Sequence, residues 1–194
     1  MNSDDLEDEL EAACLSQPLA VTDARLRLVR AGTPLAALQG PFPVGWTTIE
    51  ADAGLYQPCP GGRPAFIIPE PMNISADWAN PDWRVIDLVA VIPSPLATFT
   101  RRGIAWCLGR GNVERAVYSG EPLTVHRTPF SWLRAERQGI AIIEPDELAT
   151  RLSWCNAIIG QDLAHARELR DLLVPPEITI PQVLVPPQPE AAYV

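Results

Sequence analysis

At 194 residues, with 47% hydrophobic and 20% charged residues, the chain has room for one sizeable core and is not a disordered polymer. A formal charge of −9 excludes a generic nucleic-acid coat, and no run of about 18 apolar residues is present to cross a bilayer. No basic segment followed by an apolar one opens the sequence, so the expected setting is cytoplasmic, with reduced thiols and no membrane partner.

All 15 cations are arginine, and they are unevenly spread. Between Arg84 and Ile140 eight arginines meet four acids, a net +4, whereas the remainder carries −13. A cationic centre in an acidic molecule suits a phosphate or carboxylate partner, or internal ion pairs. Cys14, Cys59, Cys107 and Cys155 lie far apart with two histidines to help them. Metal chelation needs convergent ligands at short spacing, so no metal site is expected.

Residues Ser3 to Ser16 begin with a serine N-cap followed by acids, which suits the positive end of a helix dipole. Leu6, Leu10, Ala13 and Cys14 form one thin apolar stripe. The stripe docks the helix, or the helix is an acidic arm that covers the cationic centre or grips a basic partner. Pro18 ends it. Leu19–Thr22 and Arg25–Arg30 alternate around Thr22-Asp23-Ala24 and predict a β-hairpin, with a helix from Asp23 to Ala31 as the competing reading. Acidic helix, hairpin and Gly32-Thr33-Pro34 together resemble the small N-terminal docking domains of peptide-synthetase assembly lines.

Eleven prolines fall between Pro34 and Pro95, which argues against any long helix or central strand there. Short strands are expected at Trp46–Glu50 and Ala65–Ile68, with Cys59-Pro60-Gly61-Gly62 as a turn between them. Trp78 and Trp83 bracket an Asn80-Pro81-Asp82 turn and are read as packing residues, with a ligand cage as the functional alternative. Val85–Ile92 is the strongest strand, apolar on both faces and therefore central. Within it Asp87 needs a partner, and Arg84 or Arg102 is the expected one, although a catalytic acid is conceivable.

Ile104–Leu108 reads as a short buried helix stopped by Gly109. Gly109-Arg110-Gly111-Asn112 lacks the third glycine of a dinucleotide fingerprint and the lysine of a P-loop, so it reads as a turn. Glu121–Arg127 alternates like an exposed strand. Thr128 and Pro129 open a helix that runs to Gln138 and is stopped by Gly139. Ile140–Ile143 is a second core strand, followed by a helix from Glu144 or Pro145 with Leu148 and Leu152 facing inward. Gln161–Val174 is amphipathic, with His165 on its surface. Pro175–Pro189 holds six prolines, and is expected to be extended.

The string from His126 to Ala135, followed by Gly139-Ile140, resembles a stretch of uncharacterised proteins from bacterial prophages and integrated elements. That resemblance implies a genomic setting and carries over no activity and no catalytic residue.

These readings give an α/β or α+β fold with a single mixed sheet and flanking helices, a proline-rich N-terminal half and an extended C-terminal tail. The expected divisions are an acidic helix plus hairpin appendage at 1–33, a main mixed domain at 34–174 and the tail at 175–194. They favour a non-catalytic interaction or assembly accessory protein. Its protein partner or second copy would be met through Ile178, Ile180, Val183 and Val185. The alternative is nucleic-acid or anion binding through Arg101, Arg102, Arg110, Arg127 and Arg134. A small hydrolase with an unrecognised site is the third reading. No cofactor is expected, and no residue is assigned to catalysis.

Overall fold

The structure, a computed structural model, describes residues 3–15, 18–75, 80–146 and 148–173. Among them the chain forms seven helices and nine strands, so the mixed α and β character stands. The single sheet does not: the strands divide between a closed five-stranded barrel and a separate four-stranded sheet.

Helix α1 (Ser3–Leu15) places Leu6, Leu10 and Ala13 on one face, and all three are buried. The expected hairpin is a second helix, α2 (Pro18–Arg30). A hairpin would have put Leu26 and Leu28 on one face, but Leu28 is buried while Leu26 is 46% exposed. Burial instead follows Val21, Ala24 and Leu28, the spacing of a helical face. An Asp23–Arg27 ion pair one turn apart (2.6 Å) favours the same backbone. With no hairpin, the likeness to synthetase docking domains loses its second element. A single turn, α3 (Leu35–Leu38), leads into the barrel.

The barrel consists of β1 (Gly45–Asp52), β2 (Leu55–Pro58), β3 (Arg63–Asn73), β4 (Trp83–Pro93) and β5 (Leu96–Thr100), closed in the order β1-β2-β5-β4-β3. Strand β3 corrects the expectation that prolines forbid a central strand. It pairs with β1 from Arg63 to Ile67 and with β4 from Phe66 to Asn73. Pro69 and Pro71 lie past the last β1 pair, where the strand has one neighbour and the missing N–H leaves no ladder bond unmade. Strand β4 is buried along Leu88–Ile92, as its two-sided apolar pattern predicts. Leu88, Ala90 and Ile92 join residues of the other four strands and Leu6, Leu10 and Ala13 of α1 in the barrel interior. Gly45 admits α1, since a Cβ there would lie 2.8 Å from the Ala13 Cβ.

Val89 and Val91 of β4 and Phe66 and Ile68 of β3 face outward, into a second core shared with α2, α3 and the following elements. Those elements are β6 (Cys107–Leu108), α4 (Arg110–Ser119), β7 (Leu123–His126), α5 (Pro129–Arg134), β8 (Ile140–Ile142), α6 (Leu148–Arg151), β9 (Ile158–Ile159) and α7 (Leu163–Leu173). The second sheet runs β6-β8-β7-β9, with β8, β7 and β9 parallel and β6 antiparallel. Residues 104–108 are thus not a helix, and Gly109 precedes one rather than ending one. Strand β7 is a buried inner strand, not an exposed one, because β8 and β9 flank it and helices cover it. Helix α5 begins as the sequence predicts: Thr128 and Ser131 form a capping box and Pro129 occupies the first turn. A third core packs Val113 and Ala116 of α4 against β7, β8, α6 and α7, including Leu148, Leu152 and Leu173. No helix of the described residues is long and apolar enough to cross a membrane.

Candidate functional site

A cleft of about 610 Å3 opens where the barrel meets α4 and the segment after α5. Its lining comes from five places in the chain: Phe42, the end of β3 (Glu70, Pro71), Trp83 at the start of β4, one face of α4, and Trp132 with Arg137. The α4 residues at the cleft are Gly111, Asn112, Glu114, Arg115 and Tyr118, opposite the Val113 and Ala116 face that packs inward.

Glu70 is the most buried residue of the lining. The β3–β4 register slips between Glu70 and Pro71, the kind of irregularity that re-aims a side chain. Its two carboxylate oxygens accept the N–H groups of Gly109 (2.7 Å) and Arg110 (2.8 Å), the first amides of α4. A carboxylate there complements the helix dipole. Burial nevertheless pushes the Glu70 carboxyl up to about 8, against the downward pull of those two N–H groups and of the Arg110 and Arg137 charges. The Gly109-Arg110-Gly111-Asn112 segment is therefore a helix entry whose leading amides are already filled by a side chain of the same protein.

The opposite wall is braced through backbone carbonyls. Asn112 Nδ2 donates to the carbonyls of Arg137 (3.0 Å) and Gly139 (2.8 Å), and Trp132 Nε1 donates to the same Gly139 oxygen (2.9 Å). The Arg137 guanidinium donates to the carbonyls of Ala37 (3.0 Å) and Phe42 (2.8 Å) and lies 5.7 Å from the centre of the Trp132 ring. Burial lowers its pKa, and the Glu70 charge opposes that shift. At the mouth the side chains are looser. Tyr118 is 95% exposed, Trp83 is 40% exposed, and the exposed Arg115 guanidinium donates to Asn112 Oδ1 and to Gln138.

No family model, curated protein or solved structure matches this chain.

The arginines singled out from the sequence are dispersed. Arg101 donates to Glu9 of α1 (2.8 Å), so the acidic helix covers part of the cationic centre, and Glu9 also accepts from the Tyr56 hydroxyl (2.9 Å). Arg102 and Arg110 come together with Arg84 along a smaller groove of about 420 Å3 that includes Ile74 and Ile104. Arg127 is spanned by Asp162 (3.1 Å) and Glu168 (2.8 Å) of the α7 segment. Arg134 is exposed on α5 and runs past Gly32. Ile178, Ile180, Val183 and Val185 lie outside the described residues, as does Trp78.

Asp87 finds backbone amides where an arginine was expected. Oδ1 accepts from Leu88 (2.8 Å), Arg101 (3.0 Å) and Arg102 (2.9 Å), and Oδ2 from Ile104 (2.8 Å) and Ala105 (2.9 Å). Its role is to fold the connection from barrel to sheet. The two histidines are both buried, which corrects the surface placement of His165. They meet at Gln161, whose N–H donates to His165 Nδ1 (3.1 Å) and whose side chain reaches His126 Nδ1 (3.4 Å). His126 Nε2 contacts the Gln138 carbonyl (2.8 Å). Burial lowers both imidazole pKa values; the Arg127 charge adds to the effect at His165. Among the described residues no three His, Cys, Asp or Glu side chains are grouped to hold a metal ion.

Sequence reasoning missed Glu70, Phe42, Tyr118 and the bracing role of Asn112 and Arg137, and it read Trp83 as a packing residue. One signal was present. Glu70 is a lone acid between Pro69 and Pro71 at the end of an apolar strand, a place where a carboxylate needs a distant partner.

Proposed function

We propose that the chain is a non-catalytic interaction or assembly accessory protein, of the kind phages and mobile elements carry, and that the cleft is its docking surface for an extended, proline-bearing peptide segment. The observation that carries this reading is the pairing of a rigid aromatic wall with exposed aromatics at the mouth. Trp132 is tied by its indole N–H to the Gly139 carbonyl and Phe42 packs against the barrel core, while Trp83 and Tyr118 present their rings to solvent. Flat aromatic walls about a shallow apolar channel bind prolines well, because a polyproline II segment is already extended and loses little entropy on docking. Arg115 beside them favours an acidic residue in the segment.

A hydrolytic use is less well supported. Glu70 and Glu114 both border the cleft, but Glu70 is committed to the α4 amides and Glu114 lies 3.7 Å from Arg110. Nucleic-acid binding through the arginines is weakened by the acids that engage Arg101 and Arg127.

The test is a titration of the 15N-labelled chain with a panel of proline-rich peptides, with and without a glutamate after the prolines. The Trp83 indole should shift, glutamate-bearing peptides should bind more tightly, and Trp83→Ala with Tyr118→Ala should abolish the response. A panel that leaves Trp83 unmoved would remove the proposal.

A further inference from the structure

The Trp83 ring lies over the first turn of α4: its Cη2 and Cζ3 atoms stand 3.6 and 3.8 Å from where a Cβ on Gly111 would be. Gly111 and Tyr118 are seven residues apart on that helix, about two turns, and so share one face. At 1.5 Å per residue the two positions are about 10.5 Å apart along the axis. Helical side chains lean toward the N-terminus by about one residue, which brings the Tyr118 ring to roughly 9 Å from the turn that carries Trp83. A polyproline II segment repeats every three residues, and at 3.1 Å each that repeat is about 9.3 Å. Glu114 and Arg115 lie between the two aromatics, one on either side of the line that joins them. Glu114 is turned to Arg110 (3.7 Å), and Arg115 is exposed.

We propose that the cleft selects its partner by the spacing of two prolines. The occupant is a segment of a partner protein of the form Pro-x-x-Pro, one proline against Trp83 and the next, one polyproline II turn along, against Tyr118. One of the two places between them carries an acid. The inference rests on the reading of the cleft as a peptide-docking surface and adds a rule for what fits it. In polyproline II the residues i and i+3 share a face, so one or three intervening residues would turn the second proline away from Tyr118. The acid belongs between the prolines because Arg115 lies four residues beyond Gly111 and three before Tyr118.

The experiment titrates the 15N-labelled full chain with three capped peptides of the same composition, two prolines and one glutamate in an alanine host. One, two or three residues separate the prolines, and the Trp83 indole resonance, assigned by Trp83→Phe, reports binding. The peptide with two intervening residues should bind about tenfold more tightly than either of the others, the difference made by one apolar ring contact. Tyr118→Ala, at a position 95% exposed and outside the three cores, should bring all three peptides to the same weak affinity while the Trp83 response remains. Glutamine in place of the glutamate should weaken the best peptide about threefold in the parent and leave its affinity for Arg115→Ala unchanged. Equal affinity for the three spacings overturns the proposal and leaves the docking surface standing, as does a spacing preference that survives Tyr118→Ala. A glutamine peptide that binds the parent as tightly as the glutamate one overturns the acidic place between the prolines. If no proline-bearing peptide moves Trp83, the docking surface and the spacing rule both fail.

Discussion

Replacing Asp87 with asparagine exchanges one oxygen for an NH2 group and should loosen the joint between barrel and sheet. The carboxylate accepts five backbone N–H groups, three on one oxygen and two on the other. In the better of its two orientations an asparagine keeps the Leu88, Arg101 and Arg102 bonds and turns its own donor toward the N–H groups of Ile104 and Ala105. Two charge-assisted bonds are lost and two enclosed donors face a third. At about 1.5–3 kcal/mol for each such bond, the cost is about 3–6 kcal/mol. For a chain of this size each kcal/mol lowers the melting temperature by roughly 2–4 °C, so the fall should be about 6–24 °C. Urea unfolding followed by far-UV circular dichroism measures it, with the exposed Asp82→Asn as a control that should change little. A loss below about 1 kcal/mol would refute the argument that this carboxylate holds the connection.

Three further outcomes are expected. Because the folded Glu70 carboxyl is pushed up to about 8, above its ordinary 4.5, the stability it contributes is complete below about pH 4.5 and is lost as pH rises through 8; Glu70→Gln should flatten the urea midpoint between about pH 5 and 8, and parallel curves for the two proteins would contradict it. His126 and His165 shift the opposite way, below 6.5, so their contribution is complete above that pH and drains as pH falls through their folded values, a slope that His126→Gln with His165→Gln should reduce in the same assay. Gly139 has φ +72°, and a Cβ there would stand 2.2 Å from the Thr124 carbonyl oxygen; Gly139→Ala should cost roughly 2–5 kcal/mol and shift the Trp132 indole resonance, whereas a variant as stable as the parent would show that the turn has room to relax.

The parts of the fold legible in the sequence are those decided by local pattern. Val85–Ile92 reads as a central strand because it is apolar on both faces, and the Thr128-Pro129 start of α5 is written in four adjacent residues. The α2 helix was misread because alternation and helical periodicity both fit a short run of leucine, valine and arginine; burial on one side chose between them. The proline-rich stretch hid β3 because proline forbids a bond only on the side where a neighbour exists, and which side that is depends on where β1 stops. The site was least legible of all. Glu70 meets its amides 39 and 40 residues away, Arg101 meets Glu9 across 92, and Arg137 reaches Ala37 across 100. No window of local sequence contains such pairs, so the sequence could not show that Arg101 is held by Glu9 and Arg127 by Asp162 and Glu168.

That use of polar groups also bears on what the cleft can do. Glu70, Asn112, Trp132 and Arg137 are each satisfied by backbone atoms, amides at one wall and carbonyls at the other. Side chains held this way fix the shape of a wall, but they have few lone pairs or protons left to offer a reacting molecule. What remains outward is the Trp83 and Tyr118 ring surface and the Arg115 cation. On the proposed reading, such a mouth would gain its free energy from apolar area and one rim charge, which would give modest affinity and tolerance of sequence in the bound segment. A braced back and an exposed rim are what the proposed recognition of an extended chain requires. On the proposed reading, substitutions in the surrounding polar network should cost stability, whereas Trp83→Ala and Tyr118→Ala should cost binding of an extended segment alone.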